Sequence, residues 1–322
     1  ALRLSRRLPH AKIVGVDNLA RRKWVRESNS TSAIPIQGME TRLKTARANG
    51  FERISFQKLD LTQLNAVHEL IRRTKPNLIL HLAAQPSAPY SESSPAKAHF
   101  TQANNVLGTL NLLWSLRNTG LDRSCTFVET TTMGIYGAPE IPIPEGFLEV
   151  SRSGKVDRFP YPGLAGSWYH ITKAHDFSNL YLAHRQWKLP AVDLRTAIVY
   201  GAGTEETNSH PHLATRFDFD YHFGIVINRF CAMAVVGHPM SIYGTGERGK
   251  PFIALEDCVE SIVRIAEKPP ESGFQVLNQL TEVVTITELA HDVESAAHEL
   301  GLKCKMKWIE NPRSEKDIHK ME

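Results

Sequence analysis

Four cysteines in 322 residues, none in a C-x-x-C pair, leave this chain little with which to build a disulfide framework or a thiolate zinc site. Cys125, Cys231, Cys258 and Cys304 are scattered through apolar or mixed stretches, the usage of a reduced, cytosolic (cytoplasmic) protein. No apolar run is long enough to span a bilayer. The opening ALRLSRRLPHAKIVGVDN places apolar residues at helical spacing among arginines and has no small-residue cleavage site, which argues against a signal peptide. The net charge is only +4, too small to argue for nucleic acid. Arg3, Arg6, Arg7, Arg21, Arg22, Lys23 and Arg26 nonetheless make the start locally basic. Internal repeats and low-complexity tracts are also lacking.

What is present alternates. Strand-like runs fall at 11–17, 53–60, 77–84, 125–132 and 191–201, with helix-like stretches at 38–49, 62–74, 95–118 and 167–187 between them. Strand and helix at this interval predict βαβ units on a parallel sheet, and the near-continuous apolar runs fit strands covered on both faces. After about residue 200 the pattern loosens into short strands and the helices 222–237, 255–268 and 285–300. The expected architecture is α/β: a doubly wound, Rossmann-like domain over residues 1–200. Residues 201–322 are expected mainly to form a smaller substrate lobe interleaved with it.

Such a fold opens with a strand, a glycine-rich turn and a helix. Here a helix-like ALRLSRRLPHA runs directly into a strand ending at Asp17, so the first strand and its phosphate loop are expected to be missing. An acid at that strand end is where a ribose diol is gripped.

The stretch GSWYHITKAHD (166–176) sets Tyr169 and Lys173 four residues apart, on one face of a helix. A free tyrosine titrates near 10, and a neighbouring ammonium favours the phenolate. The pair therefore suits a general base acting on a hydroxyl. Thr130, Thr131 and Thr132 end the preceding strand at its carboxyl edge, where folds of this type bind ligands. Alone, the Tyr–Lys pair equally fits the surface of an amphipathic helix. The threonine-rich strand end and Asp17 favour chemistry.

The set VDN, HLAAQ, NNVLGTLNLL, TTTMGIYG, YHITK, VYG and YGTGE resembles the extended short-chain dehydrogenase/reductases, the nucleotide-sugar epimerase and dehydratase family. Within it the resemblance is greatest to the UDP-sulfoquinovose synthase group. The stretches behind this are SAPYS, TQANNVLGTLN, SWYHITKAHD, TEET, RFDFDYHFGIVINRF, GHP, LNQLTE and NPR-EKD-H (311–319). The resemblance implies tightly held NAD and oxidation of UDP-glucose at C4. Tyr169 would be the base, Lys173 its electrostatic partner, and Thr132 the holder of the 4-hydroxyl. Sulfite would add at C6 before the hydride returns. It further implies that Asp17 and Asn18 hold the adenosine ribose, and that Asp60 and Leu61 meet the adenine edge. Ala83, Ala84, Gln85, Asn104 and Val199 would line the middle of the cofactor. Arg21 and Arg22 are assigned to the pyrophosphate or to solvent. Met133, His170, Thr196, Asn228, Arg229, Tyr243 and Lys250 are assigned to the UDP-sugar. A homodimer built on helices 95–118 and 167–187 is implied as well.

The sequence also departs from that group. Its pattern carries E-Q-R before S-A-P-Y-S, where this chain has Ala84, Gln85 and Pro86. It carries an acid where Ile135 stands, and a glutamine where Thr196 stands. Loss of a cation and an acid leaves C4 oxidation intact and sets against sulfite use a sulfur-independent 4-epimerase or dehydratase. A dinucleotide-binding scaffold without turnover is the reading from another class. His170 is expected to be packed or solvent-facing, and His175 and Asp176 to lie on the helix surface or in a dimer contact. His210 and His212 are expected in a loop without a metal, and 216–223 in a strand or loop over the substrate.

Overall fold

Ser94 followed by Pro95 starts the longest helix of the chain. The serine Oγ accepts from Lys97 N–H at 3.3 Å, and proline at the first helical position costs no hydrogen bond. The structure, a computed structural model, describes residues 1–137, 143–161 and 163–311, and the NPR-EKD-H stretch beyond Asn311 lies outside them. The chain opens with α1 (Leu2–Arg7), β1 (Ile13–Asp17), α2 (Arg21–Glu27), α3 (Met39–Ala48), β2 (Ile54–Lys58), α4 (Leu64–Thr74) and β3 (Leu78–His81). Then come α5 (Ala88–Glu92), α6 (Pro95–Asn118), β4 (Thr126–Thr132), β5 (Phe147–Arg152), β6 (Lys155–Pro160), α7 (Trp168–Trp187) and β7 (Ala191–Thr196). The remainder is β8 (Ile198–Tyr200), α8 (Glu205–Asn208), α9 (Val226–Val235), β9 (Met240–Tyr243), β10 (Gly249–Ala254) and α10 (Leu255–Glu267). It ends with β11 (Phe274–Gln279), β12 (Glu282–Thr285), α11 (Ile286–Glu299) and β13 (Met306–Ile309).

Four parallel strands form the central sheet in the order β3-β4-β7-β11, and β1 pairs with β2 in parallel. This is the expected α/β, Rossmann-like architecture. Among the described residues β1 bonds to β2 alone and β3 to β4 alone, so β1–β2 and the four central strands form two separate sheets. α4, α6 and α7 cover the sheet through Val67, Leu70, Ile71, Leu112, Leu113, Leu116 and Leu180, which pack with Phe127 of β4 and Leu189. Each such side chain stabilises by about 1.5–3 kcal/mol when fully buried. A second core of Phe230, Met240, Ile242, Phe252, Leu289 and Val293 belongs to the C-terminal elements. β11 comes from that half of the chain yet sits beside β7 in the central sheet.

Two features of the strands before residue 201 differ from the expected elements. The run 191–201 divides at Ala197, whose N–H turns to Gln279 O at 2.9 Å. β7 stays in the central sheet, whereas β8 pairs with β10, which carries β12 antiparallel on its other side. A continuous apolar run holds no mark of which sheet each end will join. The hairpin β5–β6 lies outside the expected elements altogether. Its turn is Ser153 and Gly154, both at positive φ (53° and 74°). That Ser-Gly pair is the local signal that announces it. Among the described residues no helix is long and apolar enough to cross a membrane, and the four cysteines are free thiols.

Candidate active site

Two sequence elements meet at one wall of a cleft. β4 runs inward to Thr132, whose Oγ1 accepts from Gly134 N–H at 3.1 Å and opens a tight turn over Met133–Tyr136. Gly137 then redirects the chain at φ 69°. A Cβ there would lie 2.1 Å from Leu164 O, so glycine lets the loop before α7 sit against this turn. Ser167 caps α7, its Oγ accepting from His170 N–H at 3.1 Å. Tyr169 thereby falls in the first turn and Lys173 one turn on. Tyr169 N–H donates to Ser91 Oγ at 3.2 Å, which ties the start of α7 to α5. Thr132, Tyr169 and Lys173 line the same cavity of about 1030 Å³.

The electrostatics of this wall are set by burial. Burial pushes the Tyr169 phenol up, Lys173 pulls it down and Asp176 pushes it up again. The ammonium therefore acts in the expected direction, but the net displacement is upward. Burial disfavours the Lys173 ammonium, but Asp176, Glu129 and Tyr169 outweigh it and hold the lysine protonated. Its Nζ lies 3.3 Å from Asp176 Oδ2 and 3.7 Å from Glu129 Oε1. Asp176 was expected on the helix surface or in a dimer contact and is instead fully buried. It stands three residues after Lys173 and seven after Tyr169, so it shares their face, while His175 is exposed. Glu129 of β4 was not anticipated, since a carboxyl in a strand buried on both faces has no signature beyond its apolar neighbours.

The family model for the NAD dependent epimerase/dehydratase family matches residues 4–278. The chain belongs to that family. Two curated relatives are 36% identical to it. The chloroplastic UDP-sulfoquinovose synthase of Spinacia oleracea aligns over 94% of this chain and 63% of its own length, so the chain spans less than two thirds of that protein. The UDP-sulfoquinovose synthase of Sulfolobus acidocaldarius aligns over 99% of this chain and 80% of its own length. Among solved structures, the Thermotoga maritima UDP-glucose 4-epimerase with UDP-glucose superposes at TM-score 0.70 and 19% identity. It covers all of this chain and 85% of its own. The Bacillus cereus UDP-glucuronic acid 4-epimerase in complex with UDP-glucuronic acid and NAD does so at TM-score 0.69 and 19% identity, covering all of this chain and 86% of its own. At that identity the superpositions show the fold.

The cleft of this epimerase/dehydratase family member gathers many of the singled-out residues. Arg21, Ala84, Thr132, Met133, Tyr169, His170, Lys173, Thr196, Val199, Arg229, Tyr243 and Lys250 all line it. Asn228 lines an adjoining cavity of about 470 Å³ together with Arg21, Ala84 and Val199, and its Nδ2 donates to Asp218 O at 3.0 Å. Asn18 and Asp60 form a separate group at the ends of β1 and β2. Asn18 Nδ2 donates to Asp60 Oδ2 at 3.1 Å, and Asp60 Oδ1 accepts from Thr62 N–H at 2.9 Å. Asp17 is exposed beside them, with Oδ1 accepting from Leu19 N–H at 2.5 Å. Leu61 packs on Gly108 and its carbonyl accepts from Asn111 Nδ2 at 2.8 Å.

Others turn elsewhere. Arg22 donates to Ile36 O and Gln37 O, at 2.8 and 2.7 Å, in the loop before α3. Gln85 is buried and braces the end of β3 to α6, its Nε2 donating to Thr101 Oγ1 at 2.8 Å. Asn104 donates to Asn105 Oδ1 at 2.9 Å, and Ala83 is exposed outside both cavities. The His170 ring rests on Gly134, with Nδ1 3.0 Å from Ser167 Oγ. Pro86 lines the cleft, whereas Ile135 is buried in a cluster with Tyr136 and Tyr161. The 216–223 stretch is a loop, one of its two expected forms. Asp218 there accepts from Arg21 and Arg216, and Tyr221–Gly224 reach the cleft. His210 Nδ1 caps His212 N–H at 3.0 Å, and no metal-binding group occurs among the described residues.

Proposed function

We propose that this chain modifies a UDP-hexose with NAD through a transient 4-keto sugar, and that UDP-glucose and sulfite are its substrates. The observation that carries this is the convergence of Thr132, Tyr169 and Lys173 on one cavity wall from β4 and the first turns of α7. The residues present fit a dinucleotide. Arg21 sits in the wall shared by both cavities with its Nη1 buried and lacking a hydrogen-bond partner, a donor suited to a pyrophosphate oxygen. Asp17 ends β1 with an exposed carboxylate placed for a ribose diol and against a 2′-phosphate. We assign residues 1–200 mainly to the dinucleotide and 201–322 mainly to the UDP-sugar.

Bound NAD would supply a hydride acceptor at C4 and return the hydride at the end of the cycle. The chain's own work is at the hydroxyl. Thr132 Oγ1 orients the 4-OH, and Tyr169 Oη takes its proton as C4 is oxidised. Lys173 and the amide dipoles at the start of α7 favour the phenolate that does so. The 4-ketone acidifies the C5 proton, water leaves C6, and sulfite adds to the alkene. The net reaction joins UDP-glucose and hydrogen sulfite with loss of water.

Incubating the protein with NAD and UDP-glucose, with and without sulfite, is expected to give a sulfonate by product mass only when sulfite is present. A second reading, a sulfur-independent 4-epimerase or dehydratase, is favoured by Pro86, which puts no charge into the cleft. An isomer of unchanged mass, or a dehydrated sugar, in both reactions would establish it. No conversion in either would favour the scaffold without turnover.

We assign the protein to the cytoplasm, a reading supported by its four free thiols. We further propose a homodimer through α6 and α7, which expose Leu107, Trp114, Trp168 and Leu182. Sedimentation is expected to read twice the chain mass. A monomer at micromolar concentration would count against it.

A further inference from the structure

A buried ionic cluster lies behind the Tyr169–Lys173 pair. Glu129, Asp176, Asp193 and Arg195 are all fully buried, and none of them lines the cavity. Arg195 Nε bonds Asp193 Oδ2 at 2.9 Å, and Thr131 Oγ1 donates to Asp193 Oδ1, so that acid is satisfied. Lys173 remains for the two other carboxyls. Two cations, Lys173 and Arg195, thus face three carboxyls, Glu129, Asp176 and Asp193, and one negative charge is left over. In an interior shielded from water an uncompensated charge is strongly disfavoured, and a bound proton removes it.

The hydrogen bonds point to the same deficit. Glu129 Oε2 and Asp176 Oδ1 are both buried without a hydrogen-bond partner. Two ionised carboxylates can only accept, whereas a proton on one turns it into a donor. We propose that Glu129 carries that proton, shared with ionised Asp176, and that the two are positioning residues that hold Lys173 in register with Tyr169. This inference rests on the reading of Tyr169 as the base.

The surroundings agree. Burial and the neighbouring Asp176 push the Glu129 carboxyl well above the usual carboxylate range. His81 of β3 faces the cluster through Thr109 of α6. Its Nε2 lies 3.1 Å from Thr109 Oγ1, which lies 3.4 Å from Glu129 Oε1. Burial, with Lys173 adding to it, holds that imidazole neutral, down to about 3. The other groups facing the cluster are Asp193 and Arg195 of β7, Tyr136 under Arg195, and Tyr169 of α7. Asp176 opposes the phenolate of Tyr169 directly, and Glu129 acts on it through the lysine.

Three variants read this out, each followed by the pH profile of turnover and by ultraviolet titration of the Tyr169 phenolate against a Tyr169→Phe background. Glu129→Gln copies the protonated acid and is expected to leave the midpoint of Tyr169 where it is. Asp176→Asn removes the opposing charge and is expected to lower the midpoint by about 1 unit. Glu129→Ala unseats Lys173 and is expected to lower turnover on the order of tenfold to a hundredfold, with glutamine restoring it. If Asp176→Asn does not fold, Asp176→Ser is titrated in its place. A midpoint that drops equally in Glu129→Gln and Asp176→Asn would show both carboxyls ionised and overturn the proposal. So would a midpoint that moves in neither, or a Glu129→Gln variant as impaired as Glu129→Ala. Should Tyr169→Phe turn over normally, the functional reading fails, and the titration still reports on the cluster.

Discussion

Tyr169→Phe is expected to lower turnover of the nucleotide-sugar by about 10²–10⁴-fold, the usual contribution of a positioned general base. The change removes one oxygen and leaves the ring that lines the cleft. The backbone bonds of Tyr169, from its N–H to Ser91 Oγ and from Thr172 Oγ1 to its carbonyl, do not involve the phenol. Substrate binding and melting temperature should therefore stay close to the parent while the chemical step is lost. The residual rate loses its pH dependence as well. Burial raises the phenol, so only a small fraction is ionised at neutral pH, and the parent rate climbs as pH rises toward the tyrosine range. Steady-state kinetics across pH check both statements. A variant with parent turnover and the same climbing limb would remove Tyr169 from the mechanism.

Arg195→Met is expected to cost about 3–5 kcal/mol of stability, the usual loss when one partner of a buried ion pair is removed. Arg195 is among the largest side chains buried completely in this protein. Its guanidinium lies 4.7 Å over the Tyr136 ring and 4.9 Å over Phe177, so the methionine also forfeits two cation–π contacts. Asp193 is left with Thr131 as its donor and no opposing charge beside it. Equilibrium unfolding in urea measures the loss. The double variant Asp193→Asn with Arg195→Met should recover part of it, because the orphaned carboxylate is gone. A loss under about 1 kcal/mol in the single variant would show that Asp193 is already neutral in the fold.

Much of this site is local chemistry and therefore legible along the chain. The helix-like stretch 167–187 predicts α7, and the four-residue interval from Tyr169 to Lys173 predicts a shared face. The threonines at 130–132 mark the end of a buried strand. These inferences need only short-range geometry. Asp176 shows where this reasoning stopped short. The same helical interval places it beside Lys173, but its burial depends on β4 and β7 packing against that face. Glu129 and Arg195 are harder still. They are charged residues inside apolar strands, and their partners lie 44 and 2 residues away along the chain.

By itself the sequence determined the alternating α/β order, the parallel sheet and the shared helical face of Tyr169 and Lys173, because period, capping and turn chemistry act over a few residues. The tertiary structure alone decided that β7 and β8 part at Ala197, that Gln85 and Arg22 serve as braces, and that the acids behind Lys173 outnumber their cations. Each of these depends on which distant strand or helix lies alongside, and on the loss of water from the space between them. Neither is written into the spacing of neighbouring residues.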